Sequence, residues 1–297
     1  MSLADPPRLF AVEVFMPISY PEILQYKKEG VRRSWTDIEP ILYALGTGMG
    51  EDPLDPRELP FIYERDLRVM PTFLTVIARS GDPGPLPLNR ALVLDGGRDL
   101  TVYRPLRGEA DVILDGRIVS VIDKGPGRGA ILRREVDIND AATGDKIATL
   151  ATDILARGDG GFGGPSEAGE AKPVRPQTDP DHSVMIMTRA NQAALYRLSG
   201  DRNALHIDPV AAVKAGFDRP ILHGLCTYGL CCRALLQTYA DYDPTAIRRI
   251  AGRFSGVVLP GETVTIDLWR KGSHIYFEAR IKERGGLVID GGQALVP

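Results

Sequence analysis

The sequence predicts an α+β fold in which antiparallel strands wrap a long buried helix, with the arrangement present twice. Three observations predict it. One segment has apolar residues around most of a helical circumference, strand-like segments occur in two runs, and several features recur in the same order in both parts of the chain. The length of 297 residues is typical of about two domains.

The predicted central helix is Gly224–Tyr239. Its polar residues are confined to one narrow stripe, formed by Gly229, Arg233 and Gln237 at four-residue steps. A helix with so little polar surface has to be buried. We therefore place this segment at the centre of its half of the fold.

The strand-like segments are rich in Val, Ile, Thr and aromatic residues and alternate partly between apolar and polar positions. In chain order they are 100–104, 109–123, 130–139, 146–156, 248–258, 263–269, 274–282 and 287–295. Glycine or proline stands at the breaks between them. They predict two sets of antiparallel strands.

Residues 158–181 read GDGGFGGPSEAGEAKPVRPQTDPD. Six glycines and four prolines predict a linker between an N-terminal half, residues 1–157, and a C-terminal half, residues 182–297. The halves look like distant copies, because Tyr43-Ala-Leu-Gly aligns with Tyr196-Arg-Leu-Ser and both halves then end in strands.

The composition excludes several classes of protein. A formal net charge of −3 argues against a nucleic-acid-binding surface, which is normally basic. Cys226, Cys231 and Cys232 lie in one apolar segment and form neither a disulfide framework nor a metal-ligand spacing. With no run of 18 apolar residues, no signal peptide and no peroxisomal address, we expect a cytoplasmic protein without a membrane partner.

Asp201, Asn203 and His206 follow the Ser199-Gly200 break. A carboxylate, an amide and an imidazole on one loop can converge on a single water molecule. Hydration of a conjugated thioester needs such a set, because a base must take a proton from water while an acid delivers one to carbon. The same residue types are common in turns, so the spacing alone leaves a purely structural interpretation open.

Asp208 is a different case. Asp208-Pro209 before an alanine-rich stretch is typical of a helix N-cap followed by proline at the first helical position, and Gly216 supplies a stop signal. A metal site built from His206, Asp208 and His223 has no recognised ligand spacing. We expect no metal.

Gly224 stands where the buried helix begins, so its N–H lacks an intrahelical partner and lies at the positive end of the helix dipole. A glycine there lets a ligand approach the backbone, and the N–H could stabilise an oxyanion. A glycine chosen only for tight packing fits equally well. His223 beside it is interpreted as structural.

The run SGDRNALHIDPVAAVKAGFDRPILHGLCTYG, residues 199–229, closely resembles the signature of the (R)-specific type 2 enoyl-CoA hydratases of the MaoC-like dehydratase family. Residues 8–296 as a whole are similar to the hydratase unit of peroxisomal multifunctional enzyme type 2. The resemblance implies a double hot-dog fold, with two antiparallel sheets each wrapping a long central helix. It also implies a homodimer, and no cofactor other than the coenzyme A thioester that is the substrate.

The activity implied is the syn addition of water to a trans-2-enoyl-CoA, which gives the (3R)-3-hydroxyacyl-CoA. Asp201 and His206 would hold the reacting water, Asn203 would position that assembly, and the Gly224 N–H would be the oxyanion donor. For coenzyme A we expect contacts from the residues Lys214, Phe217, Arg219, Arg253 and Phe254.

The first half lacks an acid/base pair. Counting from the aligned tyrosines, Gly48 stands where Asp201 does and Pro53 where His206 does, so we predict one active site per chain. In the family, the degenerate half makes room for long or bulky acyl tails, which favours medium, long or bulky substrates.

Two other functions stay open. Thioesterases share the hot-dog fold and similar oxyanion geometry, but they usually place the carboxylate differently. A non-catalytic acyl-CoA-binding subunit would be expected to lack Asp201 or His206, and both are present. The product separates the three: a hydroxyacyl-CoA, a free thiol, or neither.

Overall fold

The computed structural model describes residues 18–166 and 174–297, so part of the predicted linker lies outside the described residues. The strands are β1 Lys27–Trp35, β2 Val93–Val102, β3 Ala110–Asp123, β4 Ala130–Asp140, β5 Lys146–Ala156, β6 His182–Met187, β7 Arg249–Phe254, β8 Thr263–Lys271, β9 His274–Ile281 and β10 Leu287–Leu295. The α-helices are α1 Ile38–Gly46, α2 Leu74–Ile77, α3 Gln192–Tyr196, α4 Pro209–Lys214 and α5 Gly224–Tyr239. The α5 bounds are those that the sequence predicts.

The ten strands form one sheet in the order β1-β3-β4-β5-β2-β7-β10-β9-β8-β6, and every pairing is antiparallel. From its outer edge inward, the first half runs β1, β3, β4, β5, β2. The second half runs β6, β8, β9, β10, β7, which is the same order. The aligned Tyr43 and Tyr196 also meet, with ring centroids 5.8 Å apart. These relations agree with a duplicated unit.

The double hot-dog class is confirmed, but two details of the prediction are wrong. The two sheets are joined into one by the pairing of β2 with β7. Only the second half has a long helix among the described residues, since α5 has 16 residues and its counterpart α2 has four. The helical segment continues after α2 as the 3₁₀ turn Ala78–Gly81 and goes no further, because Pro83 and Pro85 cannot continue a helix.

Two of the three residues of the polar stripe of α5 face the first half. Gly229 lies against Tyr43 and Thr47, where an added Cβ would stand 2.5 Å from the Thr47 side chain. Arg233 is 9% exposed and its guanidinium lies 2.9 Å from the carboxylate of the buried Glu58. These two residues therefore pack α5 on the first half, while Gln237 is exposed.

The three cysteines of α5 are free and buried, as predicted, and burial raises the pKa of Cys232 to about 12. No helix within the described ranges is both long enough and apolar enough to cross a membrane.

The junction between the halves requires close approach of two backbones. Gly97 of β2 pairs with Arg253 of β7, and a Cβ at Gly97 would stand 2.6 Å from the Gly252 carbonyl oxygen. A backbone atom cannot be displaced as easily as the end of a side chain. Gly97 is therefore required by packing.

We predict that Gly97→Ala lowers the free energy of unfolding by about 1–3 kcal/mol, the usual cost of overpacking. Gly286→Ala is the matched control, because the nearest atom to its added Cβ is not a backbone atom but the end of the Arg284 side chain, at 3.2 Å. Urea denaturation of both variants checks this. Equal midpoints would show that the junction tolerates the extra carbon.

Candidate active site

The loop after α3 carries the predicted catalytic residues. It turns at Gly200, whose φ of +126° suits glycine. The carboxylate of Asp201 then accepts the Asn203 N–H at 3.2 Å. The side-chain oxygen of Asn203 accepts the Leu205 N–H at 3.0 Å and so caps the short 3₁₀ turn Ala204–His206. Asn203 thus fixes the backbone that presents His206.

His206 is buried, and its Nδ1 lies 2.9 Å from the Ile221 carbonyl oxygen. Since a carbonyl can only accept, Nδ1 carries the proton and Nε2 keeps its lone pair. Burial lowers the pKa of His206, and this outweighs the opposing effects of the Ile221 carbonyl and the Asp201 carboxylate. At neutral pH His206 is a neutral base with Nε2 as its acceptor.

Asp201 is half-buried. Burial alone would raise the pKa of its carboxyl group, but Arg79, the Asn203 N–H and two nearby imidazoles together hold that pKa below its ordinary value. The guanidinium of Arg79 lies 3.3 Å from the Asp201 carboxylate. Asp201 is therefore an anion at neutral pH.

Sequence reasoning missed Arg79. It belongs to the 3₁₀ turn Ala78–Gly81 that follows α2, in the half without predicted catalytic residues. No local motif marks it. The only signal in the sequence was that Arg79 closely follows α2, the counterpart of α5. The candidate site therefore draws on both halves of the chain.

His223 completes the cluster. Its Nε2–H donates to the Asp201 backbone carbonyl at 3.1 Å, and its ring stacks on that of His206 with centroids 3.7 Å apart. Burial and the neighbouring His206 lower the pKa of His223 to about 4. His223 is thus a neutral residue that holds the loop, which agrees with the structural role inferred from sequence.

Asp201, His206 and His223 offer ligand atoms that lie within 4.8 Å of one another, a set whose composition could suit a cation. The two rings are only 26° from parallel, so their in-plane lone pairs do not converge well on one ion. Asp208 stands apart: its side chain accepts the Val210 N–H at 2.8 Å and caps α4, as predicted.

Gly224 is the first residue of α5, and the adjacent His223 has the extended backbone of an N-cap. The first intrahelical hydrogen bonds run from the Cys226 and Thr227 N–H groups to the His223 carbonyl. The Gly224 N–H precedes these bonds, at the positive end of a buried 16-residue helix. It lies one residue from the imidazole that stacks on His206, so the N-terminus of α5 lies beside Asp201 and His206.

The residues predicted to bind coenzyme A are placed differently from one another. Lys214 and Arg219 are exposed and Phe217 is half-buried, all on the segment between His206 and Gly224. The Phe254 ring covers Gly224, 3.2 Å from where a Cβ would stand.

Arg253 lies on a different face from Phe254. Neighbouring strand residues point to opposite faces, so Arg253 of β7 points away from α5 while Phe254 points towards it. There Arg253 pairs with Asp290 and lines an outer cleft with Arg175 and Glu278. The coenzyme A contact of Arg253 stays a prediction, on a face that the sequence did not assign.

In the first half, the position aligned with Asp201 is closed. Gly48 has a φ of +87°, and an added Cβ would stand 2.9 Å from the Arg233 guanidinium. The Arg233 guanidinium, which pairs with Glu58, therefore lies next to the position aligned with Asp201.

Comparison with known proteins identifies the family to which the chain is similar. Residues 171–291 match the MaoC like domain, and residues 34–158 match the MFE-2 hydratase 2 N-terminal domain. The chain is 37% identical to an enoyl-CoA hydratase of Mycobacterium tuberculosis, covering 95% of this chain and 100% of that protein. It is 36% identical to the peroxisomal multifunctional enzyme type 2 of Mus musculus, over 92% of this chain and 38% of that protein. The crystal structure of a MaoC-like dehydratase from Phytophthora capsici superposes with a TM-score of 0.84 at 28% identity, covering 94% and 99% of the two chains.

We predict that Arg79→Met moves the acid limb of the pH profile of kcat/KM to higher pH. Arg79 lowers the pKa of Asp201, so its removal raises that pKa, and activity that needs the carboxylate is lost sooner as pH falls. Initial rates across the acid range measure the limb. Arg79→Lys, which keeps the positive charge, should retain the original midpoint; a shift of equal size in both variants would exclude an electrostatic cause.

Proposed function

Because the chain belongs to the MaoC-like dehydratase family and is an enoyl-CoA hydratase, we propose that Asp201, His206 and Gly224 add water to a trans-2-enoyl-CoA to give the (3R)-3-hydroxyacyl-CoA. One observation carries the proposal. An anionic carboxylate and a neutral imidazole each offer an atom that could act as a ligand, and these atoms lie within 4.8 Å of each other, beside the N-terminus of a buried helix. That separation allows one water molecule to bridge them.

In the first step, the water lies between the Asp201 carboxylate and Nε2 of His206. His206 accepts one proton as the water oxygen bonds to C3, and the C2–C3 π electrons move towards the thioester oxygen. The Asp201 carboxylate orients the water and stabilises the imidazolium that forms. A positioned base of this kind contributes ~10²–10⁴-fold.

The negative charge that develops on the thioester oxygen is stabilised by the Gly224 N–H and the dipole of α5. Gly224 lacks a side chain, so the carbonyl can approach this donor between the helix end and the Phe254 ring. The thioester would therefore bind at the helix N-terminus with C3 towards the water.

The second step returns the proton. The His206 imidazolium delivers it to C2 on the face from which oxygen was added to C3, which gives syn addition. The products are a C3–O bond, a C2–H bond and the neutral imidazole with which the cycle began. No other reactant is consumed.

The other functions have less support. A thioesterase would need the water aimed at C1, whereas the acid/base pair proposed here aims it at C3. A purely binding subunit would not need an anionic carboxylate and a neutral imidazole side by side. For substrate binding we propose Lys214 and Arg219 near the coenzyme A phosphates and Phe217 and Phe254 along its apolar part, with medium, long or bulky acyl groups and a homodimer.

Asp201→Ala and His206→Ala are each expected to lower kcat by ~10²–10⁴-fold. Loss of the conjugated-thioester absorbance of trans-2-enoyl-CoAs measures the rate, and chiral analysis gives the product configuration. Asp208→Ala is the matched control on the same loop: it should keep kcat and lose only about 1 kcal/mol of stability, because its side chain caps α4. Release of free thiol by the parent enzyme would favour the thioesterase.

Replacing Gly224 tests the oxyanion donor. Gly224→Pro removes the N–H at a helix position that accepts proline, after a residue whose backbone is already extended. We expect kcat to fall by ~10²–10³-fold. Gly224→Ala places a similar Cβ near Phe254 but keeps the N–H, so it should lose much less. Equal losses in the two variants would show that crowding, not the donor, matters.

A further inference from the structure

A second cleft, here called the basic cleft, lies at the opposite end of the β2–β7 junction from the candidate active site. It has a volume of about 380 Å³ and is formed by residues 67–71 before α2, by the end of β2 and the residues that follow it, and by residues 243–248 between α5 and β7. Arg248 lines this cleft, whereas Phe254 covers Gly224 at the active site. The six residues of extended chain from Arg248 to Phe254 span about 20 Å.

The basic cleft corresponds, in the first half, to the candidate active site of the second. The active site draws on the segment that leads into α5, on the end of β7 and on the residues after α2, where Arg79 lies. The basic cleft draws on the segment that leads into α2, on the end of β2 and on the residues after α5. Each element is exchanged for its counterpart in the other half. The basic cleft therefore lies where a second active site would lie.

This position lacks the acid/base pair. Gly48 is aligned with Asp201, and Leu74, counted from the prolines that begin each segment, is aligned with His223. Leu74 is fully buried. A ligand in the basic cleft would therefore not be hydrated there.

The lining of the basic cleft is strongly positive. It contains the guanidinium groups of Arg68, Arg104 and Arg248 and the single carboxylate of Asp243, which leaves a formal charge of +2. The whole chain has a net charge of −3, so this local excess does not come from a basic composition. Like charges around one cleft repel each other, and a bound anion offsets that repulsion.

The guanidinium groups keep donors for a ligand. Arg68 donates from Nη1 to the Tyr242 carbonyl at 3.0 Å, which orients the group and leaves its charge unpaired. Arg104 pairs at 3.0 Å with Asp145, which does not line the cleft. Arg248 is exposed, and its side chain has no ion pair or hydrogen bond with any residue that the structure describes.

Charge and number of donors together select a phosphate. A phosphate monoester carries a charge between about −1.5 and −2 and three terminal acceptor oxygens, and guanidinium groups bind such oxygens in pairs. A single carboxylate would offset only half of the excess charge. The remaining walls suit an organic group attached to the phosphate, because they are apolar: Leu67, Val69, Val102, Pro105, Leu106 and Pro244.

We propose that the basic cleft is a second, non-catalytic ligand site that binds a phosphate monoester attached to an organic group. Coenzyme A, through its 3′-phosphate, and free adenine nucleotides share this chemistry. The inference goes beyond the proposed function, since it needs no reaction at Asp201 or His206.

The test follows hydrogen–deuterium exchange while adenosine 3′,5′-bisphosphate is added. Binding in the basic cleft should slow exchange in residues 67–71 and 243–248, and the concentration that gives half of the effect is the Kd of the cleft. Binding at the active site would instead slow residues 214–225, so the two sites are read separately. Slowing confined to 214–225, or a cleft Kd above about 1 mM, would overturn the inference.

Variants assign the site to its guanidinium groups. Arg248→Met should raise the cleft Kd by about tenfold or more, the usual loss for a hydrogen bond to a charged group. The fold is not disturbed, because the side chain has no partner in the described part of the chain. Arg65→Met is the matched control: it removes the same charge three residues before Arg68, but Arg65 lies over the Tyr63 ring and does not line the cleft. Equal changes in Kd in the two variants would contradict the inference.

Matched ligands identify the chemistry. Tighter binding of coenzyme A than of AMP would identify a coenzyme A site, and the reverse order would identify a site for free nucleotides; both support the inference. If adenosine binds as tightly as its bisphosphate, or decanoate binds more tightly, the cleft does not recognise phosphate and the inference is wrong.

Hydration of crotonyl-CoA is measured separately. A protein that hydrates crotonyl-CoA but shows no slowing at residues 67–71 would refute this inference alone. A protein that binds the bisphosphate in the basic cleft but hydrates no enoyl-CoA would refute the proposed function alone.

Discussion

The antiparallel pairing of β2 with β7 is the contact on which the rest of the molecule depends. It joins two five-stranded sheets into one and needs glycine at Gly97, where the two backbones come closest. It also sets Arg98 of the first half beside Phe254 of the second, next to the start of α5. Without this junction the active-site loop would still carry Asp201 and His206. Together with the packing of α5 on the first half, the junction fixes the position of this loop relative to the half that supplies Arg79.

Within the site, residues of the same type differ in their properties because their surroundings differ. Asp201 and Asp208 lie on one loop. The Asp208 carboxylate accepts the Val210 N–H and caps α4, whereas Asp201 faces a guanidinium and two imidazoles that lower its pKa. His206 and His223 likewise differ in what their ring nitrogens meet. Each donates one N–H to a backbone carbonyl, and this fixes the tautomer of both. The backbone therefore decides which atoms remain free for chemistry.

What the sequence could predict was local. The apolar circumference of α5, the cap at Asp208 and the alternation of the eight internal strands all arise from neighbours in the chain. The edge strands β1 and β6 were missed because their residues are largely exposed and show little alternation. Arg79 acts through Asp201, which lies far along the chain. The face of Arg253 could not be assigned because strand face depends on register, which an isolated sequence segment does not fix.

The two halves differ in the interior faces of their sheets. A sheet that wraps a helix needs an apolar interior face, and the second half has one. Arg98 and Arg134 make the corresponding face of the first half unsuitable for such a helix, and the Gly/Pro-rich segment after α2 prevents one from forming. Gly48 stands at the position aligned with Asp201 and lies against the Arg233 guanidinium. The first half therefore differs from the second in two respects, the length of its helix and the absence of a carboxylate at the aligned position.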